Sequence, residues 1–246
     1  MDIPRIFTIA ESRHRIHNPI SAQKLAELGE SLALQPGMRM LDLGSGSGEL
    51  LCTWARDFGI FGRGIDLCKL FTEQARQRAK ELGVEDRVEF LHADAAGFVE
   101  EDTVDVAACL GATWIGGGAT GTVALLRRSL KPGGILLIGE PYWHRPPTEE
   151  EARGCGCSAS DFTTLPELLQ SFLDLGCDVV GMVLASPDDW DRYEARKWIA
   201  LRRWLDANPH DAMAEEVRGL LRTEPLRLVR FTRPLLGWGI FALMPR

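Results

Sequence analysis

The chain has 246 residues, 45% hydrophobic and 26% charged, enough apolar material for one large globular domain or a domain with a cap. Its net charge is −7 and no block of lysine or arginine stands out, so a phosphate backbone would be repelled and a nucleic-acid partner is excluded. The opening stretch MDIPRIFTIAESRHR carries charges where a secretory leader needs an apolar core, and no apolar run approaches the ~20 residues of a membrane span. Six cysteines are scattered without disulfide spacing, so a reducing cytoplasm is expected.

In chain order, Asn18-Pro19 can start a helix whose Leu25, Leu28 and Leu32 line one face, with Pro36-Gly37 ending it. The short apolar run Met40–Leu43 suits a buried parallel strand. Gly44-Ser45-Gly46-Ser47-Gly48 follows as a turn, and residues 49–58 have apolar spacing for a helix. Alternating strands and helices continue: strand 60–66, helix 69–82, strands 88–93 and 104–110, helix 120–130, strand 134–139, helix 165–175, strand 178–184 and a last strand at 237–244. The acidic run Glu149-Glu150-Glu151 reads as a helix start or a solvated loop, and Arg227, Arg230 and Arg233 as a solvated face. Cys155-Gly156-Cys157 has no companion C-x-x-C or histidine pair, so ordinary thiols and no metal are expected.

The glycine loop between a strand and a helix places free N–H groups and a positive dipole end where an anionic group binds. Asp66, closing the next strand, lies where a carboxylate can accept two ribose hydroxyls. A glycine-rich turn without a ligand is the plain alternative. A dinucleotide fingerprint, G-x-G-x-x-G, would need glycine at position 49, but glutamate stands there, a poor neighbour for a pyrophosphate. The pattern is D-x-G-x-G-x-G from Asp42, which favours S-adenosylmethionine over a nicotinamide cofactor.

From these residues outward the chain resembles the class I S-adenosylmethionine-dependent methyltransferases, and in particular a group of small bacterial ones. DLGSGSGE is similar to the family's first motif and Gly64-Ile65-Asp66-Leu67 to its second. RVEFLHADAAGF resembles the third, VDVAACLGATW the fourth strand and its end, and LKPGGILLIGEPYW the turn into strand five. The resemblance implies an α/β, doubly wound (Rossmann-like), seven-stranded methyltransferase sheet with an antiparallel last strand and a helical cap insertion. It implies S-adenosyl-L-methionine as cofactor, with Asp66 on the ribose, Leu67 beside the adenine, Asp94 and Ala95 at the adenine amino group, and Gly111 bordering the methionine. Gly44, Ser45, Gly46 and Gly48 complete the cofactor-binding set. The N-P-P-Y tetrapeptide that nucleic-acid amino-methyltransferases carry after strand four is absent; Leu110-Gly111-Ala112-Thr113 stands there.

These readings predict one domain, 1–246, with an N-terminal lid segment at 1–36 and a helical cap at 185–234 between strands six and seven. In the cap, Trp190, Tyr193, Trp198, Leu201 and Leu205 form one stripe, Asn208-Pro209 breaks the helix, and 211–221 starts another. Glu140 at a strand C-terminus, and His14 and His17 in the lid, are the candidates for moving a proton. Trp114, Tyr142, Trp143 and Tyr193 are candidates for a substrate pocket; each also suits an ordinary core role. The expected activity is methyl transfer to a small-molecule acceptor whose nucleophile (O, N, S or C) stays open. A non-catalytic cofactor-binding or regulatory protein and a nicotinamide-dependent oxidoreductase are the other classes.

Overall fold

The computed structural model describes residues 3–246. Seven strands, β1 (Arg39–Leu43), β2 (Phe61–Asp66), β3 (Val88–His92), β4 (Val104–Leu110), β5 (Leu130–Trp143), β6 (Cys177–Leu184) and β7 (Leu236–Pro245), form one sheet. Their order is β3-β2-β1-β4-β5-β7-β6. The β3-to-β5 half is parallel, and β7 inserts antiparallel between β5 and β6. The order reverses at β1 and β4, and the C-terminal ends of those two strands border a crevice suited to a ligand.

Helices cover both faces of the sheet, which is why its central strands are mostly apolar rather than alternating with polar residues. On one face α2 (Ala22–Ser31), α3 (Glu49–Phe58) and α4 (Lys69–Leu82) bury Leu25, Leu28, Leu51 and Trp54 against Met40, Val106 and Ala108. On the other, α5 (Ala119–Arg127) and α7 (Leu165–Asp174) bury Val123, Leu126 and Phe172 against Leu41, Leu43 and Ala107. The strand period of two sends Met40 and Leu41 into different clusters.

A third, smaller cluster joins α1 (Arg5–Glu11), α8 (Pro187–Ala207) and α9 (Ala214–Arg227) through Ile9, Leu201, Leu205 and Val217. Ser186 and Asp189 form a reciprocal cap at the start of α8, with Pro187 in its first turn. Pro225 interrupts the hydrogen-bond ladder of α9, and the chain continues as a π turn over Leu228–Thr232. No helix among the described residues is long and apolar enough to cross a membrane.

Several boundaries differ from the sequence reading. The first sheet-packed helix starts at Ala22, capped by Ser21, whose Oγ accepts from the Lys24 N–H, and not at Asn18-Pro19. Asn18 is used elsewhere, its amide donating to the Leu110 carbonyl. β5 runs well past the expected 134–139 because β7 pairs with it as far as Trp143. The acidic run does begin a helix, α6 (Glu149–Cys155), through a capping box between Thr148 and Glu151. The second cap helix begins at Ala214 and extends to Arg227 rather than spanning 211–221.

Candidate functional site

At the C-terminal edge of β1 the backbone turns through Gly44, Gly46 and Gly48, all at positive φ (78°, 53° and 72°), into the N-terminus of α3. A left-handed conformation is costly for any residue with a side chain. At Gly48 the reason is doubled: an added Cβ would stand 2.6 Å from the Phe90 ring and 2.7 Å from Ala75 Cβ, so this glycine packs α3 against its neighbours and leaves no ligand space. At Gly44 the nearest atom would be Ala112 Cβ at 2.7 Å. On the side where a Cβ would stand, Gly44 and Gly48 face packed side chains and Gly46 faces the His17 ring at 3.2 Å.

Asp66 ends β2 beside this loop. Its Oδ2 accepts from the Gly46 N–H at 2.7 Å and its Oδ1 from the Cys68 N–H at 2.8 Å, which fixes the carboxylate and leaves further lone pairs on both oxygens. Burial raises its pKa above the usual range, opposed by those two backbone donors. A cavity of about 130 Å³ opens here, lined by Gly44, Gly46, Asp66, Leu67, Asp94, Ala95 and Gly111 together with His17, Phe7 and Trp114. Asp94 caps its own turn by accepting from the Ala96 N–H. Trp114 is 56% exposed at the cavity rim.

A smaller cavity of about 50 Å³ adjoins it around Ser45, Gly46, Asn18, Leu110 and Asp42. Asp42 is buried, its Oδ1 has no hydrogen-bond partner among the described residues, and burial, with the Asp66 charge adding, pushes its pKa up to about 7. An unpartnered buried carboxylate is costly, so this oxygen marks a place where a donor is wanted.

The N-terminal segment meets the loop at His17. Ser47 donates to Gln74 Oε1 at 2.8 Å, so the 2.7 Å contact with Ser47 Oγ is donated by His17 Nε2. Burial, with His14 and Lys197 adding, lowers the His17 pKa to about 3, so the ring is neutral at pH 7. Behind it lies a buried hub: Glu11, fully buried, accepts from Tyr193 OH at 2.8 Å, stands 3.2 Å from His14 Nδ1 and 3.5 Å from Lys197 Nζ. His14 donates from Nε2 to the Tyr193 carbonyl, and burial lowers its pKa despite Glu11. The helix α8 thus grips the N-terminal segment, and none of its residues line the 130 Å³ cavity.

The remaining candidates scatter. Glu140 is buried on β5 and accepts from Thr113 Oγ1 at 2.6 Å; burial raises its pKa to about 7, against that hydrogen bond. It stands behind the turn that supplies Ala112, Trp114 and Ile115 to the cavity wall and is not itself a wall residue. Tyr142 and Trp143 are buried in opposite core clusters, Trp143 donating its indole N–H to the Ala159 carbonyl. His14 and Tyr193 line a third cavity of about 260 Å³ between the lid and α8. Another cavity of similar size lies at the far end of the sheet, among Arg39, Arg63 and Glu89, and holds none of the motif residues. All six cysteines are free thiols, and no metal-holding group of His, Cys, Asp and Glu occurs among the described residues.

Sequence reasoning missed Asn18, Ser47, Glu11 and Phe7 as site neighbours. Ser47 lay inside the motif and was findable; the others come from sequence-distant segments with no local signal.

A methyltransferase domain model matches residues 40–134, which span the glycine loop, Asp66 and Asp94. The chain is 62% identical to the uncharacterised protein YjhP of Escherichia coli over the full length of both. It superposes with TM-score 0.98, at 66% identity and covering 100% of this chain and 99% of the other, on a methyltransferase from Geobacter sulfurreducens solved in complex with S-adenosyl-L-homocysteine. It is also 32% identical to the 27-O-demethylrifamycin SV methyltransferase of Amycolatopsis mediterranei, over 46% of this chain and 42% of that protein. The chain therefore belongs to the class I S-adenosylmethionine-dependent methyltransferases, in a group of small bacterial members, with S-adenosylmethionine as its cofactor.

Proposed function

We propose that the methyl acceptor is a small molecule, taken up beneath the lid rather than bound as an exposed surface. The observation that carries this reading is the roof over the glycine loop: His17 and Asn18 close on Gly46 and Gly111, so an acceptor atom must enter a narrow cavity to meet the methyl group. A net charge of −7 also disfavours a nucleic-acid substrate, and one partial relative is named for a small-molecule acceptor.

The cofactor, when bound, supplies an activated methyl on a sulfonium, so transfer is a displacement at carbon. The residues present fit it. Asp66 has lone pairs for the ribose hydroxyls, Leu67 an apolar face for the adenine, and Asp94 with Ala95 the edge facing its amino group. Gly44, Ser45, Gly46 and Gly111 present backbone to the methionine end, where Asp42 Oδ1 lacks the donor that an ammonium would bring. The protein's contribution is to align the acceptor ~3 Å from the methyl and keep water out, which lowers the barrier by several kcal/mol. His17, neutral and donating to Ser47, is too weak a base to take a proton at pH 7, and His14 is turned into the Glu11 hub. Glu140 is the candidate whose charge changes near neutrality. In this reading 185–234 serves as the buttress of the lid, and Tyr142 and Trp143 act as core.

Incubation with S-adenosylmethionine and a bacterial extract separated by size into low-molecular-weight and macromolecular fractions tests the proposal. S-adenosylhomocysteine should accumulate only when the low-molecular-weight fraction is added. Accumulation with the macromolecular fraction alone would overturn the small-molecule reading, and none with either would favour a non-catalytic binder.

A further inference from the structure

The third cavity, about 260 Å³, lies between the segment 14–22, the start of α3 and one face of α8. It abuts the small cavity beside Gly44–Gly46, since Arg15, Ile16, Asn18, Ile20 and Glu49 wall both. Its charge is unlike the rest of the chain. Both carboxylates in its wall are already neutralised: Glu49 accepts a bidentate pair from Arg78 at 2.7 and 2.9 Å, and Asp189 takes Lys24 and Arg192 at 2.6 Å each. Asp189 is held well below the usual carboxylate range by those donors and Ser186, despite its burial, so it stays charged and paired. Arg15 reaches away to Glu81, and Arg196 has no carboxylate partner among the described residues. A protein of net charge −7 thus presents a locally cationic cavity next to its methyl-donor site.

We infer that this cavity is the acceptor subsite and that the acceptor carries an anionic group, a carboxylate or a phosphate, held by Arg196 and by the guanidinium N–H groups of Arg192 that Asp189 does not take. The inference rests on the small-molecule reading above. Guanidinium groups in a fork geometry suit either oxyanion and lose little freedom in binding it. The two arginines stand at i and i+4 on α8, so they share one face of the helix, and both line this cavity. Neither walls the cavities around the glycine loop, so their service is to the acceptor and not to the cofactor's own carboxylate. Through Tyr193, which lines the same cavity and bonds Glu11 and the His17 carbonyl, an acceptor seated here would also press on the lid.

The test uses methyl-labelled S-adenosylmethionine and a metabolite extract split by anion exchange at pH 7 into bound (anionic) and unbound fractions. Label should pass to the bound fraction only. Arg196→Glu, at an exposed and unpaired position, should cut the rate at limiting extract at least tenfold, and Arg192→Gln/Arg196→Gln should do the same, with S-adenosylhomocysteine affinity by calorimetry unchanged. Label entering the unbound fraction, or an unaltered rate in Arg196→Glu, would overturn the anionic subsite while leaving the small-molecule reading intact. A loss of S-adenosylhomocysteine affinity in either variant would assign the arginines to the cofactor and overturn it as well. No transfer to either fraction would tell against the small-molecule reading, and the subsite would fall with it.

Discussion

The sheet around the glycine loop and the helical unit of α1, α8 and α9 are held together by different physics. In the sheet and its covering helices, Leu41, Leu43, Leu51, Ala107 and Ile138 are wholly buried in two apolar layers, and the loop's geometry is locked from behind by Phe90 and Ala75. The helical unit has a small apolar cluster of its own and sends Trp190 of α8 into the core, and its contact with the sheet also runs through a buried polar hub, Glu11 with His14, Tyr193 and Lys197, and on through His17 to Ser47. Apolar packing is non-directional and tolerant, whereas a buried hydrogen-bond network is stable only when every member is present. The glycine loop therefore sits in the more stable part, and the N-terminal segment is expected to loosen first.

The sharpest break in this comparison is Gly48→Val. The branched side chain would meet Phe90 and Ala75 in a left-handed backbone, and the combined strain and overpacking should lower stability by roughly 4 kcal/mol. Thermal unfolding checks it, and a variant within a degree or two of wild type would show that the loop is less locked than its packing implies.

Next in size is the pH dependence contributed by Glu140. Unfolded, its carboxyl titrates near 4.5; folded, it is raised to about 7, so the native chain holds an extra proton between those values. Its contribution to stability therefore falls as pH rises through that window and levels off above it. The difference in unfolding free energy between wild type and Glu140→Gln should change across pH 4.5–7 by at most roughly 3 kcal/mol. Taking the difference removes the opposite slope from His17, whose folded pKa is depressed to about 3. A pH-independent difference would show that Glu140 is solvated.

Asp66→Ala should weaken S-adenosylhomocysteine binding by roughly 1.5–3 kcal/mol, because ligand hydroxyls lose their acceptor and the Gly46 and Cys68 N–H groups lose theirs. Isothermal titration with equal affinity in both proteins would remove Asp66 from the cofactor site.

The smallest effect concerns the lid. Tyr193→Phe takes one donor from Glu11 and should cost about 1 kcal/mol of stability. Hydrogen exchange should quicken in α1 and across residues 12–19, and β1 should stay protected. Equal exchange in the lid would mean that the apolar cluster alone docks it.

What could be read from the chain by itself follows from local rules. The glycine loop, the buried strand Arg39–Leu43 and the helices Glu49–Phe58 and Lys69–Leu82 were legible because periodicity and turn chemistry act over a few residues. Asp66, Leu67 and Asp94 were legible for the same reason, since each sits at a fixed offset from a strand end and all three reach one cavity. Nothing local announced that Tyr142 and Trp143 would turn into the core, because β5 grew by pairing with β7, a strand nearly a hundred residues away in the sequence. Nor did the stripe on α8 reveal that Tyr193 would hold Glu11, or that Arg192 and Arg196 would face a cavity beside the glycine loop. Those juxtapositions depend on how two distant segments dock, and docking is decided by burial and hydrogen bonding summed over the whole fold. The cofactor was thus determined by the sequence, while the cavity between the N-terminal segment and α8 was decided only by the tertiary structure.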